Sequence, residues 1–254
     1  MGIAIITGAS SGLGKEFALQ LKSKGLADEF WLIARREDRL KDLAETLNCS
    51  CKIIPLDLSK ESSYDKYKEL LSENSPCIKY LVNAAGYGKY GDYNVVDTSI
   101  AFNMINLNVK ALVYITQETL PYMSEESHII QLGSASTYHP LPNLNIYASS
   151  KAFVKHYSLA LAREIKDRGV GVTTVCPGWV KTEFFTRAEI NDSAPDSFAR
   201  PMVSASKVVS KALKDAEKNK DISMYHWYNN LHHFLSKLLP HSWLIKAWEI
   251  IQRK

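Results

Sequence analysis

Short apolar runs alternate with longer amphipathic stretches along this chain, and no other feature constrains its fold as strongly. The apolar, β-branched runs are candidate strands: Ile3–Thr7, Glu29–Ala34, Lys52–Asp57, Ile78–Ala85, His128–Ser134, Val170–Cys176 and Ile222–Tyr225. Several are apolar at almost every position, as strands must be when helices cover both faces of their sheet. Candidate helices separate them, at about Gly12–Lys24, Arg36–Leu47, Glu61–Asn74, Ser99–Met123, Ile146–Arg168 and Ser204–Lys218.

Regular alternation of strands and helices predicts parallel strands joined by right-handed crossovers. We therefore predict an α/β fold: a Rossmann-like doubly wound parallel sheet of about seven strands, flanked by helices. No segment rich in Pro, Gly or Ser divides the chain, so a single domain over residues 1–254 is expected. Two regions depart from the alternation. Residues 182–201 form a polar loop, and residues 226–254 form an extra helical tail.

Composition and charge exclude several classes of protein. The formal net charge is +4 and no stretch concentrates Lys and Arg, so nucleic-acid binding is not expected. The apolar runs are far shorter than the roughly 18 residues that a membrane span needs, and the N-terminus lacks a signal-peptide pattern. The four cysteines are scattered without metal-ligand spacing, which predicts reduced thiols in a cytoplasmic protein and no metal site.

A glycine-rich turn follows the first candidate strand and opens the first candidate helix. Its glycines would let the main chain turn sharply and approach a pyrophosphate, whose charge the free N–H groups and the helix dipole attract. A tight strand–helix connection without a ligand is the alternative, but the position between strand and helix favours phosphate binding. The residues concerned are Gly8, Ser10, Ser11, Gly12, Leu13 and Gly14.

The end of the second candidate strand bears on which dinucleotide would bind. An acidic residue at such a strand end commonly binds a ribose 2′-hydroxyl, whereas a 2′-phosphate requires cations. Here Ala34 stands where the acid would be, and Arg35 and Arg36 follow it. Guanidinium groups bind phosphate through paired, charge-assisted hydrogen bonds, so NADP(H) is expected rather than NAD(H). For Arg36, a purely surface role is an equal alternative.

A serine, a tyrosine and a lysine form the candidate catalytic set. The strand ending at Ser134 presents a hydroxyl, and Tyr147 and Lys151 follow, four residues apart on one helix face. Tyrosine ordinarily titrates at about pH 10. A nearby ammonium, joined by the positive charge of an oxidised nicotinamide, is expected to bring that pKa toward the working range. Ser134 would then hold the substrate oxygen in line.

Taken together and in order, these motifs resemble the short-chain dehydrogenase/reductase family, in its single-domain branch. The resemblance runs from Ile3 to Thr182. It implies an NADP(H)-dependent oxidoreductase that interconverts a ketone or aldehyde and an alcohol by hydride transfer. Tyr147 would be general acid in reduction and general base in oxidation. Lys151 would lower its pKa and bind the nicotinamide ribose, and Ser134 would orient the substrate carbonyl.

The resemblance assigns further positions by their match to family motifs. Asn108 would help to hold a proton-relay water, with Asn106 as the less favoured alternative. Gly133 departs from the family pattern, which more usually has a serine before the catalytic one. The additional cofactor-binding positions that the resemblance implies are Asp57, Leu58, Asn83, Ala84, Ala85, Gly86, Pro177, Gly178, Val180 and Thr182.

Substrate and assembly are less constrained by the sequence. Phe184 and Phe185 suit an apolar carbonyl compound, although packing against the sheet is at least an equal alternative. The family resemblance implies a homodimer or homotetramer through the candidate helices Ser99–Met123 and Ile146–Arg168. Three roles compete for the tail: helices packed on the body or a neighbouring subunit, which is favoured, a lid over the pocket, and an interfacial membrane anchor.

Two further expectations concern the pocket and the class of function. Tyr138, His139 and Trp179 are candidate pocket walls from their positions alone. A catalytically silent nucleotide-binding or scaffold protein of the same fold is the alternative function. The intact set of Ser134, Tyr147 and Lys151 argues against that alternative.

Overall fold

The computed structural model describes residues 2–188 and 202–252, and it shows strands alternating with helices along most of the chain. In chain order the elements are β1 (Ile3–Thr7), α1 (Gly12–Ser23), β2 (Glu29–Ala34), α2 (Glu37–Leu47), β3 (Ser50–Pro55), α3 (Ser62–Asn74), β4 (Ile78–Asn83), α4 (Thr98–Ile105), α5 (Leu112–Thr119), β5 (Met123–Leu132), α6 (Asn145–Glu164), β6 (Gly171–Val175), β7 (Val180–Lys181), α7 (Phe184–Ala188), β8 (Val203–Ser204), α8 (Ala205–Ala216), β9 (Ile222–Ser223), α9 (Trp227–Leu238) and α10 (His241–Gln252). A π-helical turn occupies Asn106–Ala111, and 3₁₀ turns occupy Leu120–Tyr122, Ala135–Tyr138 and Lys166–Arg168.

Seven strands form one sheet in the order β3-β2-β1-β4-β5-β6-β9. Every neighbouring pair is parallel. Ile5 of β1 lies opposite Trp31 of β2 and Leu81 of β4, which fixes the central register. The strand order reverses between β1 and β4, where a doubly wound sheet opens a crevice at the carboxyl ends of its strands. The predicted Rossmann-like fold is confirmed.

Helices cover both faces of this sheet, and each face has its own apolar core. Successive side chains of a strand point to opposite faces. Ile6 accordingly packs with Phe17 of α1 and Leu213 of α8, whereas its neighbour Ile5 packs with Tyr67 of α3 on the other face. All five side chains are almost completely buried. This burial explains why the strands of the sheet lack polar alternation.

The predicted helix Ser99–Met123 is the main error in the sequence analysis. In the structure, α4 gives way to the π turn Asn106–Ala111, and α5 ends before Met123. Met123 instead begins β5, which is longer than the predicted strand because its polar first half, Ser124–Ser127, hides the strand pattern. The π turn interrupts the helix beside the site, and such turns occur frequently at functional sites.

The C-terminal part adds two features that simple alternation does not predict. The two-residue strands β7 and β8 pair in parallel, through Val180 with Val203 and Lys181 with Ser204. The tail folds as α9 and α10, in agreement with its near-helical spacing. Within the described ranges, no helix is both long and apolar enough to cross a membrane. Most of the predicted 182–201 loop, residues 189–201, lies outside the described residues.

Candidate active site

The glycine-rich turn between β1 and α1 closely approaches neighbouring main chain. Gly8 and Gly12 adopt φ values of +68° and +56°, a region that side chains with a Cβ rarely occupy. A Cβ on Gly8 would lie 2.8 Å from the main chain of Ala84, and one on Gly14 would lie 2.4 Å from the carbonyl oxygen of Gly8. No side chain caps α1 at Ser11, so its first N–H groups are available to an anion.

This turn forms one side of a cleft with a cavity volume of about 480 Å³. The cleft brings together most of the predicted positions. Those on its lining are Gly8, Ser10, Ser11, Gly12, Leu13, Gly14, Arg35, Arg36, Asp57, Leu58, Ala84, Ala85, Gly86, Ser134, Tyr147, Lys151, Pro177, Gly178, Val180 and Thr182. Asn83 and Asn108 lie behind the lining, and Asn83 donates a hydrogen bond to Thr116 Oγ1 at 3.0 Å.

Basic side chains gather at the end of the cleft beyond β2. Arg35 is exposed and lines the cavity. Arg36 is half-buried: its Nη2 donates to Ser10 Oγ at 3.2 Å, and its Nη1 pairs with Glu183 at 3.1 Å. Arg39 pairs with the same carboxylate. The sequence analysis missed Arg39, which lies in the first turns of α2, and Glu183, whereas Arg36 immediately precedes that helix with an extended backbone.

The candidate catalytic set meets at the carboxyl ends of β4, β5 and β6. Ser134 follows β5, while Tyr147 and Lys151 lie on α6 with the lysine Nζ 5.9 Å from the tyrosine ring centre. The ammonium donates a hydrogen bond to the carbonyl oxygen of Leu132 at 2.6 Å. Ser134 Oγ accepts from the main-chain N–H of Ser136 at 3.1 Å, and the same hydroxyl acts to lower the pKa of Tyr147. Three groups suited to proton transfer therefore share one corner of the cleft.

Burial dominates the electrostatics of this corner. It raises the pKa of Tyr147 to about 12, and the nearby hydroxyl of Ser134 only partly opposes that rise. Burial also lowers the pKa of Lys151 to about 8, because desolvation disfavours its charged form. The lowered tyrosine pKa expected from the sequence is therefore not a property of the protein alone.

Asn108 links the π turn by hydrogen bonds to α6, the helix that carries Tyr147 and Lys151. Its Oδ1 accepts from the main-chain N–H of Tyr87 at 3.1 Å, and its Nδ2 donates to the carbonyl of Tyr87 at 2.9 Å and to Ser150 Oγ at 3.1 Å. Ser150 in turn donates to the carbonyl of Tyr147 at 2.7 Å. Asn108, the favoured position, therefore contacts the site through its side chain. Among the described residues, we find no side-chain hydrogen bond from Asn106.

The sequence profile described as short chain dehydrogenase matches residues 2–192. The chain belongs to the short-chain dehydrogenase family. An uncharacterized oxidoreductase of Staphylococcus epidermidis is 34% identical over 185 residues, covering 71% of this chain and 78% of the relative.

Two further proteins illustrate the range of this family. The very-long-chain 3-oxoacyl-CoA reductase of Rattus norvegicus is 35% identical over 191 residues, covering 71% of this chain and 60% of the relative. A short-chain dehydrogenase from Sphingobium yanoikuyae, solved in complex with NADPH, superposes with a TM-score of 0.79 at 24% identity, covering 94% of this chain and 95% of that one. The latter similarity supports the fold.

The departure from the family pattern at Gly133 has a structural explanation. A Cβ at this position would lie 3.0 Å from both Cys176 Sγ and Thr174 Cγ2 of the neighbouring segment. Cys176 is completely buried and therefore cannot easily move away. The side chains of Cys176 and Thr174 therefore fill the space that a serine side chain at position 133 would need.

Aromatic residues after β7 cover the catalytic corner of this family member. Phe184 packs on the ring of Tyr147, with centroids 5.3 Å apart. Phe185 stacks on Trp179 at 5.2 Å. Both phenylalanines line the cavity, as the interpretation of an apolar pocket predicts. Trp179 is also on the lining, as expected.

The C-terminal tail also lines the cleft. From α9 the lining includes Tyr228, Asn229 and His232, and from α10 it includes Leu244, Ala247 and Trp248. Trp248 donates through Nε1 to the carbonyl of Pro142 at 3.1 Å, and like Tyr147 it packs against the apolar cluster of Leu141, Leu144 and Ala148. The tail thus covers the pocket, an arrangement that the sequence analysis weighed but did not favour.

Polar side chains of α9 face the body of the protein and apolar ones face outward, the reverse of an ordinary surface helix. Its inner side carries Asn229 and His232, and Asn229 is 4% exposed. Its outer side carries a stripe that comprises Trp227, Leu231, Phe234 and Leu238, which are 70%, 46%, 58% and 64% exposed. The apolar stripe that sequence reasoning assigns to a core therefore faces outward.

Two histidines meet between the tail and the 3₁₀ turn after Ser134. The rings of His139 and His232 are 4.7 Å apart and edge to face, and both line the cavity. Burial lowers the pKa of His139 to about 4, so this imidazole is neutral at physiological pH. Tyr138, the third candidate wall, is buried beside His233 and is not part of the lining.

Metal-ligating side chains are scattered in the part of the chain that the structure describes. No group of three or more His, Cys, Asp or Glu residues there could hold a metal ion. The cysteines are free thiols.

Proposed function

We propose that this chain is a single-domain, NADP(H)-dependent carbonyl reductase or alcohol dehydrogenase, with Tyr147 as its general acid and base. The observation that carries the proposal is the meeting of Ser134, Tyr147 and Lys151 at the end of a cleft lined by a phosphate-binding type of turn. Either feature alone is common in proteins. Their occurrence in one cleft of a short-chain dehydrogenase fits hydride and proton transfer.

The residues of the cleft fit a dinucleotide. The close approaches at Gly8 and Gly14 form a cradle that a Cβ would fill, and the uncapped start of α1 suits the pyrophosphate. Arg35 and Arg36 would hold a 2′-phosphate, and the lining at Gly178 and Thr182 would hold the nicotinamide end. When bound, the reduced nicotinamide supplies the hydride. The site residues assigned from family motifs fit this arrangement and remain part of the proposal.

Proton transfer falls to Tyr147 in this account. In the direction of reduction its hydroxyl gives a proton to the substrate oxygen, which Ser134 holds by a hydrogen bond. Lys151 donates one hydrogen bond to the carbonyl of Leu132, and as a residue of the cleft lining it would offer its remaining N–H groups to the nicotinamide ribose. The ammonium also stabilises the phenolate that remains. Because the side chain of Asn108 holds Tyr87 and Ser150, a relay water would use its main-chain carbonyl.

The walls of the pocket favour an apolar carbonyl substrate. The apolar lining includes Phe184, Phe185 and Trp179, together with Leu244 and Trp248 from the tail. Apolar walls with a few converging polar groups are the usual composition of a small-molecule site. The name of the rat relative, a very-long-chain 3-oxoacyl-CoA reductase, supports reduction of an apolar ketone.

Assembly and location complete the proposal. Phe102, Ile105 and Phe153 are 61%, 38% and 43% exposed on α4 and α6, which supports a homodimer or homotetramer through those helices. A cytoplasmic location remains a prediction. Contact of the tail with a membrane surface is a second possibility that the exposed stripe on α9 supports.

The test is turnover by the purified full-length protein. NADPH oxidation is followed with a panel of aliphatic ketones, steroids and 3-oxoacyl compounds, and NADH serves as the comparison. We expect turnover with NADPH, a loss of about 10³-fold or more in Tyr147→Phe, and little change in the control Tyr138→Phe. NADPH binding without any turnover across the panel would favour the catalytically silent alternative. Turnover favouring NADH tenfold would overturn the cofactor assignment.

A further inference from the structure

Glu183 forms ion pairs with two arginines at the end of the cleft beyond β2. Its Oε2 pairs with Arg36 Nη1 at 3.1 Å, and its Oε1 accepts from Arg39. These contacts hold the pKa of the Glu183 carboxyl below its usual range, the hydrogen bond with Arg39 being the largest cause. The carboxylate is therefore an anion at physiological pH, held between two guanidinium groups.

The same two guanidinium groups suit a phosphate. Carboxylate and phosphate both bind arginine through two parallel N–H···O hydrogen bonds. Arg36 also donates to Ser10 in the glycine-rich turn, so it reaches from the phosphate-binding turn to Glu183. A 2′-phosphate bound to Arg36 at this end of the cleft would thus compete with Glu183 for the same donors.

Glu183 is also linked to the catalytic corner through its neighbours in sequence. Thr182 lies against the turn, because a Cβ on Gly12 would be 3.5 Å from it. The Phe184 main-chain N–H donates to Thr182 Oγ1 at 3.3 Å, and the Phe184 ring packs on Tyr147. The residue that binds the arginines is therefore adjacent to one that covers the catalytic tyrosine.

We propose that Glu183 occupies the 2′-phosphate site by pairing with Arg36 and Arg39, and that the 2′-phosphate of NADP(H) displaces it and thereby releases α7. The inference rests on the proposed NADP(H) dependence. It makes Glu183 a specificity-determining residue, since a dinucleotide without the 2′-phosphate leaves the carboxylate in place. Arg39 becomes a further ligand of the 2′-phosphate.

The first test measures binding of 2′,5′-ADP and of 5′-ADP by calorimetry, which is independent of turnover. In the wild-type protein, 2′,5′-ADP binds more tightly. Glu183→Gln removes the competing charge and is expected to tighten 2′,5′-ADP about 3- to 10-fold, with 5′-ADP changed less than about 2-fold. The matched control is Glu37→Gln, because Glu37 is an exposed carboxylate on the same helix as Arg39 and pairs with Lys41.

The second test measures hydrogen exchange of the amides of residues 184–188 by mass spectrometry. Wild-type exchange should increase with 2′,5′-ADP and not with 5′-ADP, and in Glu183→Gln it should be fast without ligand. Equal 2′,5′-ADP affinity in the wild type and Glu183→Gln would overturn the inference while leaving the NADP(H) preference intact. Equal affinity of the wild type for the two ADP compounds would overturn both. Thermal unfolding verifies that each variant is folded.

Discussion

The glycine-rich turn and the C-terminal tail both line one cleft, yet they are constructed in different ways. The turn is main chain packed on main chain: a Cβ at Gly8 would collide with Ala84 at 2.8 Å. The tail is a pair of helices that meets the body through side chains such as Asn229 and Trp248. The turn therefore tolerates few substitutions without backbone movement, whereas the tail can exchange side chains on an unchanged backbone.

This difference suggests that one region of the molecule carries the reaction and the other selects the substrate. The turn and the corner of Ser134, Tyr147 and Lys151 hold the groups suited to hydride and proton transfer. The tail contributes walls such as Leu244 and Trp248, which would contact the proposed substrate. Substitutions in the first region should alter every reaction of the protein, and substitutions in the second should alter some substrates more than others.

Apart from Tyr147→Phe, the largest effect is expected at Lys151. Lys151→Met should lower kcat by about 10²-fold or more with every substrate, because the phenolate loses its cation. The same variant should stabilise the cofactor-free protein at pH 7 by about 1–2 kcal/mol. Removal of the buried ammonium stabilises the native state, and the loss of the hydrogen bond to the Leu132 carbonyl offsets part of this gain.

The pH dependence of stability follows from the direction of the Lys151 pKa shift. Its pKa falls from 10.5 to about 8, so between those values the unfolded chain holds more protons than the native protein. The wild-type free energy of unfolding therefore gains a rising contribution over that interval, which Lys151→Met removes. Urea titrations at pH 7 and pH 10 measure both quantities. A variant less stable at pH 7, or one with an unchanged pH slope, would show that the lysine is not buried as a cation.

A smaller effect is expected at Arg35, which belongs to the turn side of the cleft. Arg35→Ser should weaken NADPH binding about 10-fold and NADH binding less than about 2-fold, because a charge-assisted hydrogen bond to phosphate is lost. Fluorescence titration with both dinucleotides gives the two affinities. An equal loss of affinity for NADPH and NADH would mean that Arg35 does not bind the 2′-phosphate.

The smallest effect is expected in the tail, and it should depend on the substrate. Trp248→Ala should raise KM for a bulky apolar ketone about 5- to 10-fold through lost apolar burial, with less change for a small ketone. Trp243→Ala on the same helix is the matched control, since Trp243 is 62% exposed. Steady-state kinetics with two ketones of different size decide the matter. The comparison between the regions fails if Trp248→Ala affects both ketones equally.

The fold and the turn side of the cleft were predictable because their signals are local. Glycines at 8, 12 and 14 between a strand and a helix specify a main-chain geometry, and Tyr147 and Lys151 share a helix face by spacing alone. These features do not depend on distant residues. The positions they predict lie on the cleft lining in the structure.

The rest depended on contacts between distant segments. The pairing of Glu183 with Arg36 and Arg39 joins residues more than a hundred positions apart, without a motif to mark it. The π turn around Asn108 lies in an unbroken amphipathic pattern. The apolar stripe of α9 predicts burial against the body, but the structure turns Asn229 and His232 inward instead.

The central claim is that Tyr147 becomes acidic only when the protein's ammonium acts together with the charge of an oxidised nicotinamide. The direct measurement is an ultraviolet titration of tyrosine ionisation with and without NADP⁺, with Tyr147→Phe subtracted to isolate this residue. We predict a pKa of about 12 without the nucleotide and a fall of several pH units with it. An unchanged titration of Tyr147 in the presence of saturating NADP⁺ would contradict the account.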